Sequence, residues 1–337
     1  MRIALTLIWI NDLSSAYKPV NTNLYTMRLL LLLIFIGSVN INFAQTADEL
    51  YENANSSFEN EDYKGALKTI EKAIELDSLD ADFYNLKALS LFKLEKFQES
   101  YNTYNKALSI FPERPYLYIS RGNLFLTIQK YDYATLDFTK AMGLAKNDTI
   151  KYSAVTNRAA AKLSVRDFEG AYEDLMTAYE YDSTDVATLT NLGAVCDEVG
   201  RKDETLKYLL KVIEVDSSFY PAYGNIGFKY QEMGQYEKAI EYFNKVLEFN
   251  PKEPLGYSNR SYNRLKLGDL KGAMDDIEKS IKLYPENSYA YRIRALIYFE
   301  KGKTSKACSD LQEALDRGFT LTYGKEVLNL QREHCEK

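Results

Sequence analysis

Four asparagines recur at one fixed interval: Asn157, Asn191, Asn225 and Asn259 lie 34 residues apart. Asn is a mediocre helix former because its amide competes for nearby backbone groups. Its recurrence inside apolar, helix-like stretches such as "YGNIG" (223–227) therefore asks for a use. A carboxamide carries two donors and an acceptor, so it can hold a peptide backbone whatever the side chains are. Evenly spaced amides would form a ladder for an extended chain. The alternative is that they bond to neighbouring helices.

Catalytic chemistry has few candidates. The one histidine, His334, stands three residues from the C-terminus, so neither a triad nor a multi-His metal site can be assembled. No phosphate loop, dinucleotide fingerprint or metal-binding cluster is legible, and acidic pairs such as Asp275-Asp276 read as solvated helix faces. No enzyme activity, no cofactor and no metal is expected. Of the three cysteines, Cys196 is flanked by Val195 and Val199 and reads as a buried small hydrophobe.

The chain has 337 residues, 46% apolar and 27% charged, the composition of a folded protein. Its net charge of −6 offers no basic stripe to neutralise phosphates, which argues against nucleic acid as a partner.

Residues 27–45, "MRLLLLLIFIGSVNINFAQ", have the three-part layout of a secretory leader: a short positive start, an apolar core, then a small and polar cleavage region. The run Leu29–Ile36 is too short to span a bilayer, which takes about 20 residues. Translation is expected to start at Met27, with 1–26 an upstream extension and cleavage after Ala44. No Cys follows the apolar run, so no lipid anchor is expected, and no integral span remains once the leader is removed. The expected location is the periplasm or cell surface of a Gram-negative bacterium.

Internal repetition organises everything downstream. The segment "QYEKAIEYFNKVLEFNP" (235–251) matches "KFQESYNTYNKALSIFP" (96–112), "DYKGALKTIEKAIELDS" (62–78) and "DLKGAMDDIEKSIKLYP" (269–285). A small residue recurs at Ala66, Ser100, Ala134, Ala171, Thr205, Ala239, Ala273 and Ala307, followed by a large apolar one at Ile70, Tyr104, Phe138, Leu175, Leu209, Phe243, Ile277 and Leu311. A second small column runs Ala54, Ala88, Gly122, Ala159, Gly193, Gly227, Ser261 and Ala295. The interval is 34 residues, except for 37 between the third and fourth units. Eight units follow: 47–80, 81–114, 115–148, 152–185, 186–219, 220–253, 254–287 and 288–321. Within each, apolar spacing is helical, and breaks such as "EMGQ" or "KLGD" divide two helices. Small residues are expected where paired helices cross, and large ones between neighbouring units. The three extra residues near Asn147–Lys151 are expected to lengthen one inter-unit loop, as a small irregularity or a hinge between units 1–3 and 4–8.

These units resemble tetratricopeptide repeats in period, in the small–aromatic–small pattern of the second helix and in the closing Pro112, Pro251 and Pro285. The resemblance covers 47–321. Ser78, Ser183, Ser217 and Lys146 replace the closing Pro elsewhere, and Thr205 is bulkier than Ala. The resemblance implies an all-α fold, a right-handed superhelical solenoid of antiparallel helix pairs with a concave groove lined by first helices. Residues 322–337 carry an amphipathic helix expected to cap the last unit. The "DRGFTLTY" turn would bring Cys308 and Cys335 together, as a disulfide suited to an exported protein or as a reduced pair.

The resemblance puts the four asparagines on the groove side, two residues before the small column, and implies a protein or peptide partner. Other groove positions are apolar or aromatic: Leu86, Leu89, Phe92, Ile119, Leu126 and Leu163, then Phe228, Tyr262, Leu265, Tyr289 and Phe299. They are expected to be exposed for a partner, or to pack between first helices. The family mode that clamps a partner's C-terminal carboxylate needs Lys and Arg at set positions. Here those hold mostly Asn, Ser, Thr and apolar residues, Arg292 excepted, so that mode is not expected. The 28 Tyr support an alternative, a glycan- or envelope-associated structural protein. "DSL" (77–79), "DTI" (148–150) and "DST" (182–184) resemble a short bacterial O-glycosylation signal at turns; ordinary Asp capping is the other reading.

Overall fold

A computed structural model describes residues 45–336. The expected extension 1–26 and leader 27–44 lie outside the described residues. Among the described residues there are eighteen α-helices and no strand, and they divide into two compact bodies between Tyr181 and Asp182.

The N-terminal body contains α1 (Ala47–Glu59), α2 (Tyr63–Leu76), α3 (Ala81–Lys93), α4 (Phe97–Ile110), α5 (Pro115–Thr127), α6 (Tyr131–Leu144), α7 (Asp148–Ser164) and α8 (Phe168–Tyr181). Each helix packs on the next in sequence, and α1, α3, α5 and α7 also touch in succession. The C-terminal body repeats this order with α9 (Val186–Val195), α10 (Lys202–Val215), α11 (Tyr220–Glu232), α12 (Tyr236–Phe249), α13 (Pro254–Lys266), α14 (Leu270–Leu283), α15 (Ser288–Glu300) and α16 (Thr304–Asp316). Two shorter helices follow, α17 (Phe319–Tyr323) and α18 (Glu326–His334). The helix expected within 322–337 is α18, and the short α17 precedes it across Gly324 with φ +82°. The fold class is all-α, helix pairs stacked in solenoid order within each body.

Local signals explain the helix limits. Thr46 and Glu49 form a reciprocal capping box at the start of α1, satisfying two otherwise orphaned groups. Asp62, Asn147, Asp185 and Asp269 cap α2, α7, α9 and α14 with side-chain oxygens. In "FPERP" and "NPKEP" the first Pro follows a helix end and the second, Pro115 or Pro254, opens the next helix, where a missing N–H does no harm.

The turn inside every pair uses a left-handed residue, and the two bodies differ in which residue supplies it. Glu61, Glu95, Gln129 and Arg166 adopt φ between 58° and 64° in the N-terminal body. Gly200, Gly234, Gly268 and Gly302 take φ of 65° to 80° in the C-terminal body. Only Gly adopts this conformation without a Cβ penalty.

All three residue columns are buried. Ala54, Ala66, Ala88, Ala134, Ala159, Ala171, Ala239, Ala273, Ala295 and Ala307 are fully enclosed, and Ile70, Phe138, Ile277 and Leu311 with them. The large column fills the crossing within its own pair, not only the space between units as expected. A Cβ on Gly122 would meet Phe138 at 2.6 Å, and one on Gly193 would meet Leu209 at 2.7 Å. Ser100 and Ser261 tighten the same crossing, donating to Ala88 O (2.8 Å) and Ala273 O (2.7 Å).

The three extra residues form no lengthened loop. They extend the start of α7, whose N-cap Asn147 accepts from Ile150 N at 2.9 Å, and α6 packs directly on α7. The boundary between the two compact bodies falls after Tyr181, not at Asn147–Lys151. Three residues are close to one turn of 3.6, so the faces downstream keep their directions.

Candidate functional site

Asn157 sits on α7 of the N-terminal body, and Asn191, Asn225 and Asn259 sit on α9, α11 and α13 of the C-terminal body. Asn157, Asn225 and Asn259 are half-buried, and their carboxamides form no hydrogen bond with the described residues. Asn191 is buried, with its Oδ1 enclosed and unpartnered. None of the four therefore does the neighbour-bonding work offered as the alternative. Asn263 does it instead: fully buried, it donates to Gln231 Oε1 (2.6 Å) on α11 and to the backbone of Asn259 (2.8 Å).

The apolar positions are less available than expected. Leu86, Leu126, Leu163, Phe228 and Tyr289 are buried. Phe228 packs on Ala239 and Phe243 of α12, the second helix of its own pair, beside Tyr230. Leu89, Phe92, Ile119, Tyr262, Leu265 and Phe299 remain half-buried, and Phe92 rests on Phe97 with ring centroids 5.8 Å apart.

A second set of columns was missed. Arg121, Arg158, Arg260 and Arg294 each fork onto an Asp sixteen residues later, Asp137, Asp174, Asp276 and Asp310, through Nε and Nη2 at 2.6–2.9 Å. The remaining nitrogen of three of them reaches the second helix of the preceding pair, at Asn105, Thr139 and Asn244. One guanidinium thus joins three helices. Arg121, Arg260 and Arg294 also lie over Tyr118, Tyr257 and Tyr291 at 5.4–5.8 Å. Asp276 is buried and also receives Arg264, which corrects its reading as a solvated face. The burial that encloses Asp137 pushes its carboxyl up, against the opposing pull of Arg121. The recurrence of Arg and Asp in register was the available signal.

In the next two pairs Leu192 and Ile226 replace the arginine. There Lys229 is buried and pairs with Asp197 at 2.6 Å, and Thr205 donates to the same carboxylate at 2.6 Å. The hydroxyl accounts for the bulkier member of the small column.

Arg292 lies on α15, 7% exposed, with its guanidinium 5.7 Å from the Tyr262 ring and 5.6 Å from the Tyr289 ring. Its Nη2 donates to Glu326 on α18; its Nε and Nη1 are enclosed without a partner, as is the Tyr289 hydroxyl. Burial pushes that phenol well above its ordinary range. Cys308 and Cys335 are joined in a disulfide with Cα atoms 5.7 Å apart. Further ties hold α18 in place: Val327 is buried in the core, Gln331 donates to Gln312 (2.9 Å), and His334 lies against Phe299 at 4.8 Å.

Of the three modification-like triplets, 77–79 and 182–184 are Asp-capped turns, with Asp77 accepting from Leu79 N and Asp182 from Thr184 N, both at 2.8 Å. The triplet 148–150 is not at a turn; it opens α7. Among the described residues no group of three His, Cys, Asp or Glu side chains could hold a metal ion, and no helix is long and apolar enough to cross a membrane.

Family models described as tetratricopeptide repeat match residues 51–115 and 258–318 and 220–253. Among curated proteins, the STIP1 homolog of Dictyostelium discoideum is 25% identical over 135 residues, 40% of this chain and 24% of that protein. RNA polymerase II-associated protein 3 of Xenopus tropicalis is 29% identical over 112 residues, 33% of this chain and 17% of that protein. The chain thus spans about a quarter or less of these relatives' length. Similar folds occur in the C-terminal part of a repeat-containing protein from Cytophaga hutchinsonii (TM-score 0.56, 21% identity, 72% of this chain and 98% of that one). Another is the Cut9–Hcn1 tetramer of the APC/C (0.53, 19%, 84% and 55%). By its matched segments, its columns and its helix pairs, this chain carries tetratricopeptide repeats.

Proposed function

We propose that the chain is a non-catalytic scaffold that binds a protein or peptide along its first helices, built from eight repeat units over 47–321. The observation that carries this reading is the state of Asn157, Asn225 and Asn259, which are half-buried at one repeat position and spend no amide group inside the protein. An amide left open in this way is suited to an extended backbone. Tetratricopeptide repeats bind protein partners, and one matched relative is named for association with RNA polymerase II. Export to the periplasm or cell surface, in assembly or maintenance of an envelope complex, is supported by the leader-like segment 27–45 and by the disulfide, which suits an oxidising compartment. The glycan-bound alternative is weakened, because the rings of Tyr118, Tyr257 and Tyr291 already face arginines.

The test compares affinity capture from envelope extract by the wild type and by a variant with Asn157, Asn191, Asn225 and Asn259 changed to Ala. Ala favours helix more than Asn, so the variant stays folded, which circular dichroism checks. A partner held by the wild type and lost by the variant supports the reading. Equal retention removes the asparagines from it. N-terminal sequencing of the exported chain tests cleavage after Ala44.

A further inference from the structure

We infer that the outward face of α6 is the contact by which two copies of this chain pair, antiparallel, about a two-fold axis at Leu136. The surface lies on a second helix, so the inference is independent of the reading that first helices bind peptide.

Comparison of the eight second helices singles α6 out. Two positions after the small column, the others carry Lys68, Asn102, Glu173, Lys207, Glu241, Asp275 and Ser309, all exposed. At that position α6 carries Leu136, 67% exposed. One position before the small column the others hold Gly, Glu or Lys. There α6 holds Tyr133, 58% exposed and resting on Phe125 with ring centroids 5.3 Å apart. Residues three apart share a helix face. A single exposed apolar side chain is ordinary. Two side by side, where seven equivalent helices keep small or polar residues, form a face suited to being covered.

The charges beside these residues fit another copy of the same face. Asp132 and Lys140 lie four residues before and after Leu136, about one turn to either side. Both are exposed, and neither forms an ion pair with the described residues. A two-fold axis through Leu136, with the helices antiparallel, sets Leu136 against its own counterpart. It also sets each Asp132 opposite the other copy's Lys140, so one patch yields two ion pairs. Such self-matching is what an isologous interface requires. A face with one acid and one base has no net charge by which to select an acidic or a basic partner, whereas a copy of itself satisfies both. The same pairing lays Tyr133 along the aliphatic stem of the other copy's Lys140. One helix face is smaller than the roughly 800 Å² per partner of a standard interface. The pairing is therefore weak, with a dissociation constant on the order of 10–100 µM.

Sedimentation equilibrium of the purified chain, disulfide intact, should show monomer and dimer exchanging in that range. L136E sets two like charges against each other on the axis and should weaken pairing by about tenfold or more. D132K faces Lys140 of the other copy and should weaken it about two- to tenfold, as two exposed ion pairs turn repulsive. D132K/K140D restores opposite charges and should return pairing to near the wild-type value. All three positions are exposed, and circular dichroism checks that each variant is folded. L136C places a thiol on the axis and should give a cross-linked dimer with a short bis-maleimide. N102C, the equivalent position on α4, should not; Cys196 is enclosed and does not react. A chain that stays monomeric when loaded well above that range overturns the inference, as does a dimer that L136E leaves intact. If D132K/K140D does not recover what D132K loses, the antiparallel pairing is wrong and the inference falls with it. Equal cross-linking of L136C and N102C reports chance encounter and overturns it too. A monomeric chain that captures an envelope protein, and loses it in L136E, gives the face to a different partner and likewise overturns pairing with itself.

Discussion

Arg292 and Glu326 are joined by an ion pair and stand 34 residues apart, the repeat interval itself. Contacts between successive units elsewhere have nearly the same separation, 32 residues for Asn263 on α13 with Gln231 on α11 and for Lys229 on α11 with Asp197 just past α9. The helix α18 also meets α16 head to tail, Cys335 with Cys308 and Gln331 with Gln312. It therefore stands on the last pair as the first helix of a further pair would. The otherwise exposed end of the core is closed in this way.

Thiol accessibility tests that arrangement. Cys196 is fully enclosed, and burial, with Glu204 and Asp197 nearby, pushes its thiol up to about 12. An aromatic disulfide reagent at pH 8 should find no thiol in the native chain, one after unfolding and three after reduction. A native chain that titrates two thiols would show the Cys308–Cys335 bond to be absent.

The buried ion pairs should matter far more than the exposed ones. Changing Asp276 to Ala strands Arg260 and Arg264, and loss of one partner of a buried pair costs about 3–5 kcal/mol. The pair Lys87–Glu71, with Glu71 48% exposed, is worth about 1 kcal/mol or less. Urea unfolding of D276A beside E71A checks the contrast, and equal losses would contradict the assignment.

Gln129 holds a left-handed φ of 58° where the C-terminal body uses Gly. Gln129→Gly should raise stability by about 1 kcal/mol, the left-handed penalty less the extra unfolded-state freedom of Gly. Gly234→Ala, at φ 72° with open space around it, should lower stability by a similar amount. Melting temperatures of the two variants should move in opposite directions.

Asp182 is held below the usual carboxylate range by the Thr184 hydroxyl and then its backbone N–H, and Asp216 by the same two groups of Ser218. Each folded pKa lies below its unfolded value of about 3.9. Their stabilising contribution is present above that value and is lost as pH falls through the depressed one. Carboxyl NMR titration should show both midpoints low, with T184V and S218A each returning its own Asp upward.

Much of the fold was legible because the repeat column averages out local ambiguity. Ala66 alone says little, but eight small residues in register say that two helices touch. The Arg–Asp columns were equally periodic and were missed, since charge normally marks a solvated face and Asp276 carries no local sign of burial. The positions of Phe228 and Tyr289 were not legible for another reason. A first-helix side chain can face an open surface or turn onto a neighbouring helix, as Phe228 turns onto Ala239 and Phe243 of α12, and the repeat pattern alone does not say which. The three residues near Asn147 could have been loop or helix, and length cannot tell them apart. That Arg158 still reaches Thr139 across them, at 3.0 Å, shows the packing register was kept.

The way α18 imitates a first helix has an engineering consequence. The helix α18 amounts to half a unit, and its junction with α16 already has the geometry of an internal one. Inserting a complete helix pair between α16 and that half-unit would add one unit to the C-terminal body without a new linker. The surface of α16 is in this sense a reusable junction, able to take either α18 or a new first helix.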